Sequence, residues 1–373
     1  MGQYAGRLLR GLATVPGLEV VAYAAPRERR PEWLPSEVMW RPVGRTLPAK
    51  LTALHSRLLA LPGAVREDRI EVLHVPALHA RPFYPPVPPV ACRLVTTIHD
   101  LIPLTFYDIR TMPLRQQLFY RWNLRRALAA DAVITVSQAS KNEILSRVPD
   151  AKDRLHVIPN AVDFEPNPSR TPLDHLGISR PYVLYAGSYE PRKNFVRAVA
   201  AFAELAAMGL PHRLVAIVER RSGHAQAALS AVNHFNLGDR LRLLHGVDEP
   251  TLRSLYTHAD VLFFPSLAEG FGYPPLQAAR CGTPVVASDL SAIREAMGEG
   301  AVYVNPYAVS TMARALGALL RDSRARKALT VAANRQARTL SGPAWIQAHV
   351  DLYQTRAMTR EPSQLFPDFG VNP

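Results

Sequence analysis

Two kinds of apolar spacing alternate along this chain. Compact apolar runs over 18–24, 70–75, 93–98, 132–136 and 155–158 have the length of buried strands, and runs over 182–186, 213–218, 241–244, 261–264, 284–287 and 301–304 repeat the pattern. A shorter strand is expected over 38–40. Between the runs, apolar residues return at helical spacing. Tyr4, Leu8, Leu9 and Leu12 form one such face near the start, and Leu114, Leu118, Trp122 and Arg125 share another within a long helix expected over 113–130. Further helices are expected over 51–61, 195–208, 225–235, 249–257 and 310–338. An amphipathic one is expected over 345–358, with Trp345, Ile346, Val350 and Tyr353 available for packing. Ser140 and Glu143 have the capping-box spacing for a helix over 141–147. Strand and helix alternate through both halves, which predicts two doubly wound α/β domains facing across a cleft.

Proline marks the joints. Pro166, Pro168 and Pro172 make 164–180 read as a linker, so the first domain is expected over 1–170 and the second over 171–340. The stretch RPFYPPVPPV, 81–90, has too many prolines for regular structure and reads as a surface loop; 361–373 reads as a loose tail.

Composition narrows the class. A chain of 373 residues with 48% apolar content suits two domains with proper cores. No apolar run is long enough for a membrane-spanning helix, and no secretory signal is expected. Cys92 and Cys281 sit beside apolar strands and read as buried free thiols in a reducing, cytoplasmic compartment. The formal charge of +13 attracts anions in general. No nucleic-acid motif and no block of like charges appears, so phosphorylated small molecules and anionic membranes are the better partners.

Three stretches carry candidate chemistry. ADVLFFPSLAEGFGYPPLQAARCGTPVVA, 259–287, reads as strand, glycine loop, helix and strand, with Pro274 and Pro275 opening the helix. Such a geometry receives an anion, because amides and the helix dipole point at it and glycine admits close approach. Glu269 and Gln277 flank the helix start and could grip two parts of one ligand. An ordinary strand-to-helix turn reads the same from spacing alone. In GSYEPRKNF, Gly187, Arg192 and Lys193 precede a helix, as a diphosphate clamp or as an exposed basic turn. His99-Asp100 ends a strand, where open α/β sheets bind ligands; a pair that merely caps the next turn is the other reading.

EGFGYPPLQAARCGTPVVAS resembles the signature of the family-4 retaining glycosyltransferases, nucleotide-sugar enzymes of the GT-B fold. By that resemblance Glu269 binds donor-sugar hydroxyls, with Gly270, Phe271 and Gly272 beside it. The family's second glutamate, which binds the ribose, is Gln277 here; it keeps the reach and loses charge-assisted strength. IHDLIPL resembles the family's N-domain motif, which places His99 at the donor sugar and leaves Asp100 to support the loop. GSYEPRKNF resembles the Glu-Pro-Arg-Lys-Asn loop, which puts Lys193, helped by Arg192, on the donor diphosphate next to Gly187. Some relatives carry arginine directly after that glycine; here it is Ser188. The turn His245-Gly246-Val247 corresponds to one that touches the base through backbone groups. Pro159-Asn160-Ala161-Val162-Asp163 matches a Pro-Asn-Gly-Val-Asp turn with alanine for glycine, and Asn305-Pro306 resembles the turn after a late strand. In the family the last helix crosses back to the first domain, so 341–373 is expected to do so. A strand and a Gly-x-Gly loop come before the family's first helix, and Gly2 and Tyr4 resemble the end of that loop. A further strand ahead of Met1 is therefore expected; a chain that simply opens with a helix is the alternative.

The resemblance implies transfer of a sugar, with retention, from a nucleoside diphosphate donor to an acceptor hydroxyl. No metal and no cofactor is expected, since no Asp-x-Asp loop appears. The combined motifs resemble bacterial mannosyltransferases of surface polysaccharide assembly. They favour GDP-mannose as donor, a glycan or lipid-linked acceptor, and peripheral contact with an anionic inner membrane face. A sugar-nucleotide-binding protein without transferase activity is the competing reading, on the strength of Gln277, Ser188 and the expected upstream strand. An epimerase or a glycogen-type synthase would need acid and base residues or a lysine loop that are not found. A dehydrogenase is excluded, because no Gly-x-Gly-x-x-Gly follows a strand.

Overall fold

A computed structural model describes residues 2–46, 55–77, 88–107, 113–218 and 223–355. Most of the 81–90 loop and the whole 361–373 tail lie outside the described residues, as does the start of the helix expected over 51–61. The chain divides into two units. One takes in Met1–Asn160 and the chain from Gly342 onward; the other is Ala161–Ser341.

The first unit opens with helix α1 (Gly2–Leu12), which buries Tyr4, Leu8 and Leu12. Strands β1 (Val21–Ala24) and β2 (Met39–Pro42) pair in parallel as a sheet of their own. A wide π turn, Ser56–Ala60, leads into α2 (Leu61–Glu67). The helical stretch thus continues past Leu61, the expected end. Pro62 sits in the first turn of α2, where its missing amide costs nothing. Strands β3 (Val72–Val75), β4 (Arg93–Ile98), β5 (Ala132–Thr135) and β6 (Leu155–Val157) form a second, all-parallel sheet in that order. Helices α3 (Leu114–Leu128) and α4 (Gln138–Leu145) connect the later strands. Leu73, Leu94, Ile98, Tyr120, Leu124, Val133 and Ile144 make the core between sheet and helices. The cap of α4 is Ser137 and not Ser140: Ser140 N donates to Ser137 Oγ at 3.0 Å. Ser140 instead uses its hydroxyl to hold the end of β4, donating to the His99 carbonyl at 3.0 Å.

The second unit is a single six-stranded parallel sheet. Its strands are β7 (Tyr182–Ala186), β8 (Arg213–Ile217), β9 (Leu241–Leu244), β10 (Val261–Phe264), β11 (Val285–Ser288) and β12 (Ala301–Val304), and their spatial order is β12-β11-β10-β7-β8-β9. Helices α5 (Phe195–Ala207), α6 (Ala225–Asn233), α7 (Glu249–His258), α8 (Tyr273–Arg280), α9 (Ser291–Met297), α10 (Val309–Arg321) and α11 (Ser323–Arg338) supply the crossovers and cover. The central strands β7 and β10 are buried at every position, as a parallel sheet covered on both faces requires. Both match the apolar runs residue for residue.

The proline-rich segment expected to link the domains is not a free linker. Phe164 is buried against Tyr256 at 5.4 Å between ring centres, with the Arg253 guanidinium 4.9 Å from its ring. Asn167 N donates to Thr257 Oγ1 at 3.0 Å, and Ser254 Oγ donates to the Ser169 carbonyl at 2.6 Å. The division falls between Asn160 and Ala161, ahead of the join that the prolines predict.

Gly300 shows how tightly the second unit closes. A Cβ there would lie 2.5 Å from the Cα and 2.8 Å from the N of Ala333, both backbone atoms of α11. Backbone cannot rotate away as a side-chain tip can. Gly300→Ala should therefore cost about 2 kcal/mol of stability by overpacking, read as a lower melting temperature. An unchanged melting temperature would mean that α11 slides aside freely.

The last helix, α12 (Gly342–Gln354), belongs to the first unit and packs on α1. Gly11 permits the approach, since a Cβ there would run into Ile346. A polar chain then fastens α12 to the sheet. His349 Nδ1 lies 2.7 Å from the Trp345 carbonyl, which can only accept, so Nδ1 donates. His349 Nε2 then accepts from the Tyr4 hydroxyl at 2.8 Å. Tyr4 in turn accepts from Thr97 Oγ1 at 3.2 Å, Thr97 accepts from His74 Nε2 at 2.8 Å, and His74 Nδ1 accepts from Tyr353 at 2.7 Å. One carbonyl fixes the direction of every bond, and both imidazoles are neutral.

Candidate functional site

In the second unit the connections from β7 and β10 run in opposite directions across the sheet, to β8 and to β11. Neighbouring strands that part in this way define the switch point of a doubly wound sheet, and their C-terminal loops form a crevice. The loop after β7 holds Gly187 to Asn194, and the loop after β10 holds Pro265 to Gly272. Every candidate residue of this unit except Val247 and Gln277 lies in one of these two loops.

The loops are joined by charge. Lys193 Nζ donates to Glu269 Oε1 at 2.5 Å, and Arg192 Nη1 stands 3.5 Å from Glu269 Oε2. Arg192 is itself held by Glu190, Nε to Oε2 at 2.8 Å. The Lys193 and Glu269 side chains are only 13% and 10% exposed, so the pair is shielded from bulk water. The Lys193 ammonium also stands 5.2 Å from the ring centre of Phe264, at the end of β10. Sequence spacing alone left an exposed basic turn open for Arg192 and Lys193; the structure closes that reading for Lys193.

Backbone contacts set the loops against each other. Tyr185 is fully buried and points its hydroxyl at the Lys193 carbonyl, 3.0 Å away. Burial, with the nearby Glu269 charge, pushes its phenol far above the usual range, so it stays a neutral donor. Leu267 N donates to the Arg192 carbonyl at 2.6 Å. Gly187 makes room for this arrangement: a Cβ would lie 2.7 Å from the Tyr185 hydroxyl. Ser188 is buried and turns its Oγ to the Glu190 amide at 3.3 Å, a local turn contact.

Asn194 is the residue that sequence reasoning missed. It is buried in a left-handed conformation, φ 60° and ψ 32°, which asparagine tolerates better than most side chains. Its Nδ2 donates to the carbonyls of Pro265 at 2.9 Å and Pro306 at 2.8 Å. One amide thus ties the β7 loop to the ends of β10 and β12. The Asn directly after the Arg-Lys pair, ahead of an apolar helix, was the available signal.

The glycine loop differs in one respect from its expected geometry. Gly272, at φ 108°, is the cap of α8, and the helix begins at Tyr273. Pro274 and Pro275 then fill the next two positions, so two of the amides that an anion site at this helix end relies on do not exist. Gln277 consequently falls in the second turn, inside the helix, where its carbonyl accepts from Cys281 N at 3.1 Å. Gly270, Phe271 and Gly272 are buried beside Glu269. Val247 lies after Gly246, at φ 63°, in the turn that ends β9 at the same edge of the sheet. Cys281 is buried and burial pushes its thiol up to about 11; Cys92 is only half-buried, contrary to expectation.

His99 and Asp100 belong to the first unit. His99 Nε2 donates to the Pro76 carbonyl at 3.1 Å, and Tyr4 meets the ring edge-on at 4.9 Å. Asp100 Oδ1 accepts from Ile102 N at 3.0 Å and so caps the following turn.

Comparison with known proteins gives the family. The model for glycosyltransferase family 4 matches residues 1–166, and that for glycosyl transferases group 1 matches 176–336. The chain is 30% identical over 228 residues to the O-antigen chain mannosyltransferase RfbU of Salmonella typhimurium, covering 57% of this chain and 61% of that protein. It is 27% identical over 246 residues to the serotype-specific mannosyltransferase WbdA of Escherichia coli, covering 64% of this chain and 30% of the other. The matches thus span less than two thirds of these relatives' length. Among solved structures, sucrose-phosphate synthase from Thermosynechococcus elongatus superposes with a TM-score of 0.75 at 21% identity, over 94% of this chain and 92% of that one. WaaG, a glycosyltransferase involved in lipopolysaccharide biosynthesis, gives 0.72 at 15%, over 95% and 96%. The fold is GT-B, with two Rossmann-like domains, and the chain belongs to the group 1 glycosyltransferases with a family 4 N-terminal domain.

Proposed function

We propose that the protein is a retaining glycosyltransferase that takes mannose from GDP-mannose and passes it to an acceptor hydroxyl in surface polysaccharide or glycolipid synthesis. The observation that carries this is the shielded Lys193–Glu269–Arg192 cluster at the switch point of the second unit. An ammonium has three donors, and one is spent on Glu269. The others suit the oxygens of a nucleoside diphosphate, which gains charge as its bond to the sugar breaks. Cations already held in place stabilise that charge more in the transition state than in the ground state. Glu269, fixed by the same cations, offers acceptor oxygens to sugar hydroxyls. The relatives named mannosyltransferases support the choice of sugar. A glycan or lipid-linked acceptor, and work at an anionic membrane face, fit the same reading.

A thermal-shift panel of GDP, UDP and ADP with their sugars tests the donor. A ligand at a hundredfold its dissociation constant adds about 2.7 kcal/mol, or roughly 5–10 °C in a unit of this size. GDP and GDP-mannose should give that shift. A response to UDP alone would keep the transferase and overturn the donor, and no response to any of the three would overturn the site. The role given to His99 is tested separately: His99→Asn should lower transfer while leaving the GDP shift in place.

A further inference from the structure

A groove of about 510 Å³ runs along the outer edge of the first unit's parallel sheet. There β6 is the last strand, so one side of its backbone has no neighbouring strand among the described residues. The first turn of α4 and the second half of α12 form the walls. None of the residues assigned to the donor lines it. It does share an element with His99, since Ser140, in the same turn of α4, bonds the His99 carbonyl at 3.0 Å. Lys141 Nζ donates to the Leu155 carbonyl of β6 at 2.8 Å, which leaves the ammonium two further donors. Asp351 gives one carboxylate oxygen to Gln347 Nε2 at 2.7 Å and keeps the other. His156 lines the groove and makes no hydrogen bond among the described residues. Burial, then the charges of Lys141 and Arg93, lower its pKa, so the neutral ring offers one donor and one acceptor. Ile158, Ala348 and Leu352 supply apolar lining. Lys141 and Asp351 are the charged residues of the lining, and their charges cancel.

We propose that this groove is a saccharide-binding site, separate from the donor crevice, that holds a sugar of the acceptor glycan other than the one being extended. A sugar hydroxyl donates and accepts at once, so one ring can meet an ammonium, a carboxylate and a neutral imidazole together. Its C–H face meets the apolar lining, the mixture that small-molecule sites of this size use. Other ligand classes fit less well. An anion would face the Asp351 carboxylate. An apolar molecule would strip water from two charges and return no hydrogen bond. Holding a remote sugar raises the effective concentration of the chain end at the reaction centre, so a longer acceptor should be used better than a short one.

The holding role rests on the glycan acceptor of the proposed function, but binding needs neither donor nor transfer, so the two readings fail separately. The probe is α-linked mannotriose, titrated into the full chain without donor and followed by saturation-transfer NMR and calorimetry. It should bind, and saturating GDP should not displace it. His156→Phe with Asp351→Leu removes two hydrogen-bonding groups and should raise the Kd about tenfold or more. Ala348→Phe keeps every polar group, fills the groove and should abolish binding, a check that stands even where the double variant fails to fold. In transfer assays both variants should raise KM for mannotriose about tenfold at unchanged kcat, and leave both constants for methyl α-mannoside as in the parent. No binding of mannotriose by the parent, displacement by GDP, equal binding by the parent and Ala348→Phe, or tighter binding of inorganic phosphate than of mannotriose would each overturn the assignment.

Discussion

Lys193→Met should lower transfer from GDP-mannose by about a hundred to a thousandfold, the loss that follows removal of one preorganised donor from developing charge. The fall should lie in kcat more than in KM, because the leaving diphosphate is most negative after the bond has broken. The same substitution strips Glu269 of its 2.5 Å partner and leaves it with Arg192 at 3.5 Å. A carboxylate so poorly exposed and so weakly compensated destabilises the fold, by about 1–3 kcal/mol. Activity loss and stability loss are therefore confounded in the single variant. A double variant separates them. Lys193→Met with Glu269→Gln leaves no unpaired charge, so the melting temperature should return most of the way to that of the parent. Transfer should not return, and neither should the GDP-induced shift. Recovered activity in the double variant would mean that the pair is a structural tie and that the donor is held elsewhere.

The sequence is most readable where the cause is local. Strands β4, β7, β9, β10 and β12 begin and end where their apolar runs do; in β7 and β10 the reason is that a strand buried on both faces must be apolar throughout. The helix after β2 runs on past its expected end, to Glu67, because Pro62 sits where a first turn accepts it and a π turn leads into that turn. In the segment after Ala161, prolines suggest a linker and Phe164 decides otherwise, since its aromatic partner Tyr256 is distant in sequence. The site divides along the same line. Gly187, Arg192, Lys193 and Glu269 are visible as residue types in glycine loops. That Lys193 and Glu269 touch depends on β7 lying next to β10, which only the strand order supplies. Asn194 could be seen only as the residue type after the Arg-Lys pair, and the Tyr4–His74–Thr97–His349 chain was invisible, since none of its residues advertises partners on other elements. In α3 the periodicity finds the face correctly and cannot say whether protein or solvent lies beyond it.

The first unit should lose about 3 kcal/mol of stability between pH 6.5 and pH 4 through His349 alone, at 1.36 kcal/mol for each unit of pKa displacement. Burial lowers this imidazole to about 4 from its ordinary 6.5, even though its bond to the Trp345 carbonyl pulls the other way. His74, fully buried, is lowered well below the ordinary value, first by burial and then by the charges that His349 and His99 would carry. The hydrogen-bond chain gives the same result by counting. Each ring already donates once and accepts once, so an added proton turns the accepting nitrogen into a donor that faces another hydroxyl donor. The unfolded chain carries no such restriction and protonates near 6.5. It binds more protons than the native state throughout the window below that pH, so stability is fully present above 6.5 and falls as the pH drops towards 4. His74 extends the loss to lower pH. The consequence is specific to α12, which this chain fastens to α1, β3 and β4. Hydrogen exchange of the α12 amides should accelerate on acidification before exchange in the β7–β12 sheet does. Tyr353→Phe leaves His74 Nδ1 without its donor, which removes the clash that opposes protonation there, brings the native His74 closer to its unfolded value and should shrink its share of the acid loss. If α12 and the β7–β12 sheet lose protection at the same pH in both proteins, the buried histidines do not govern the acid limit.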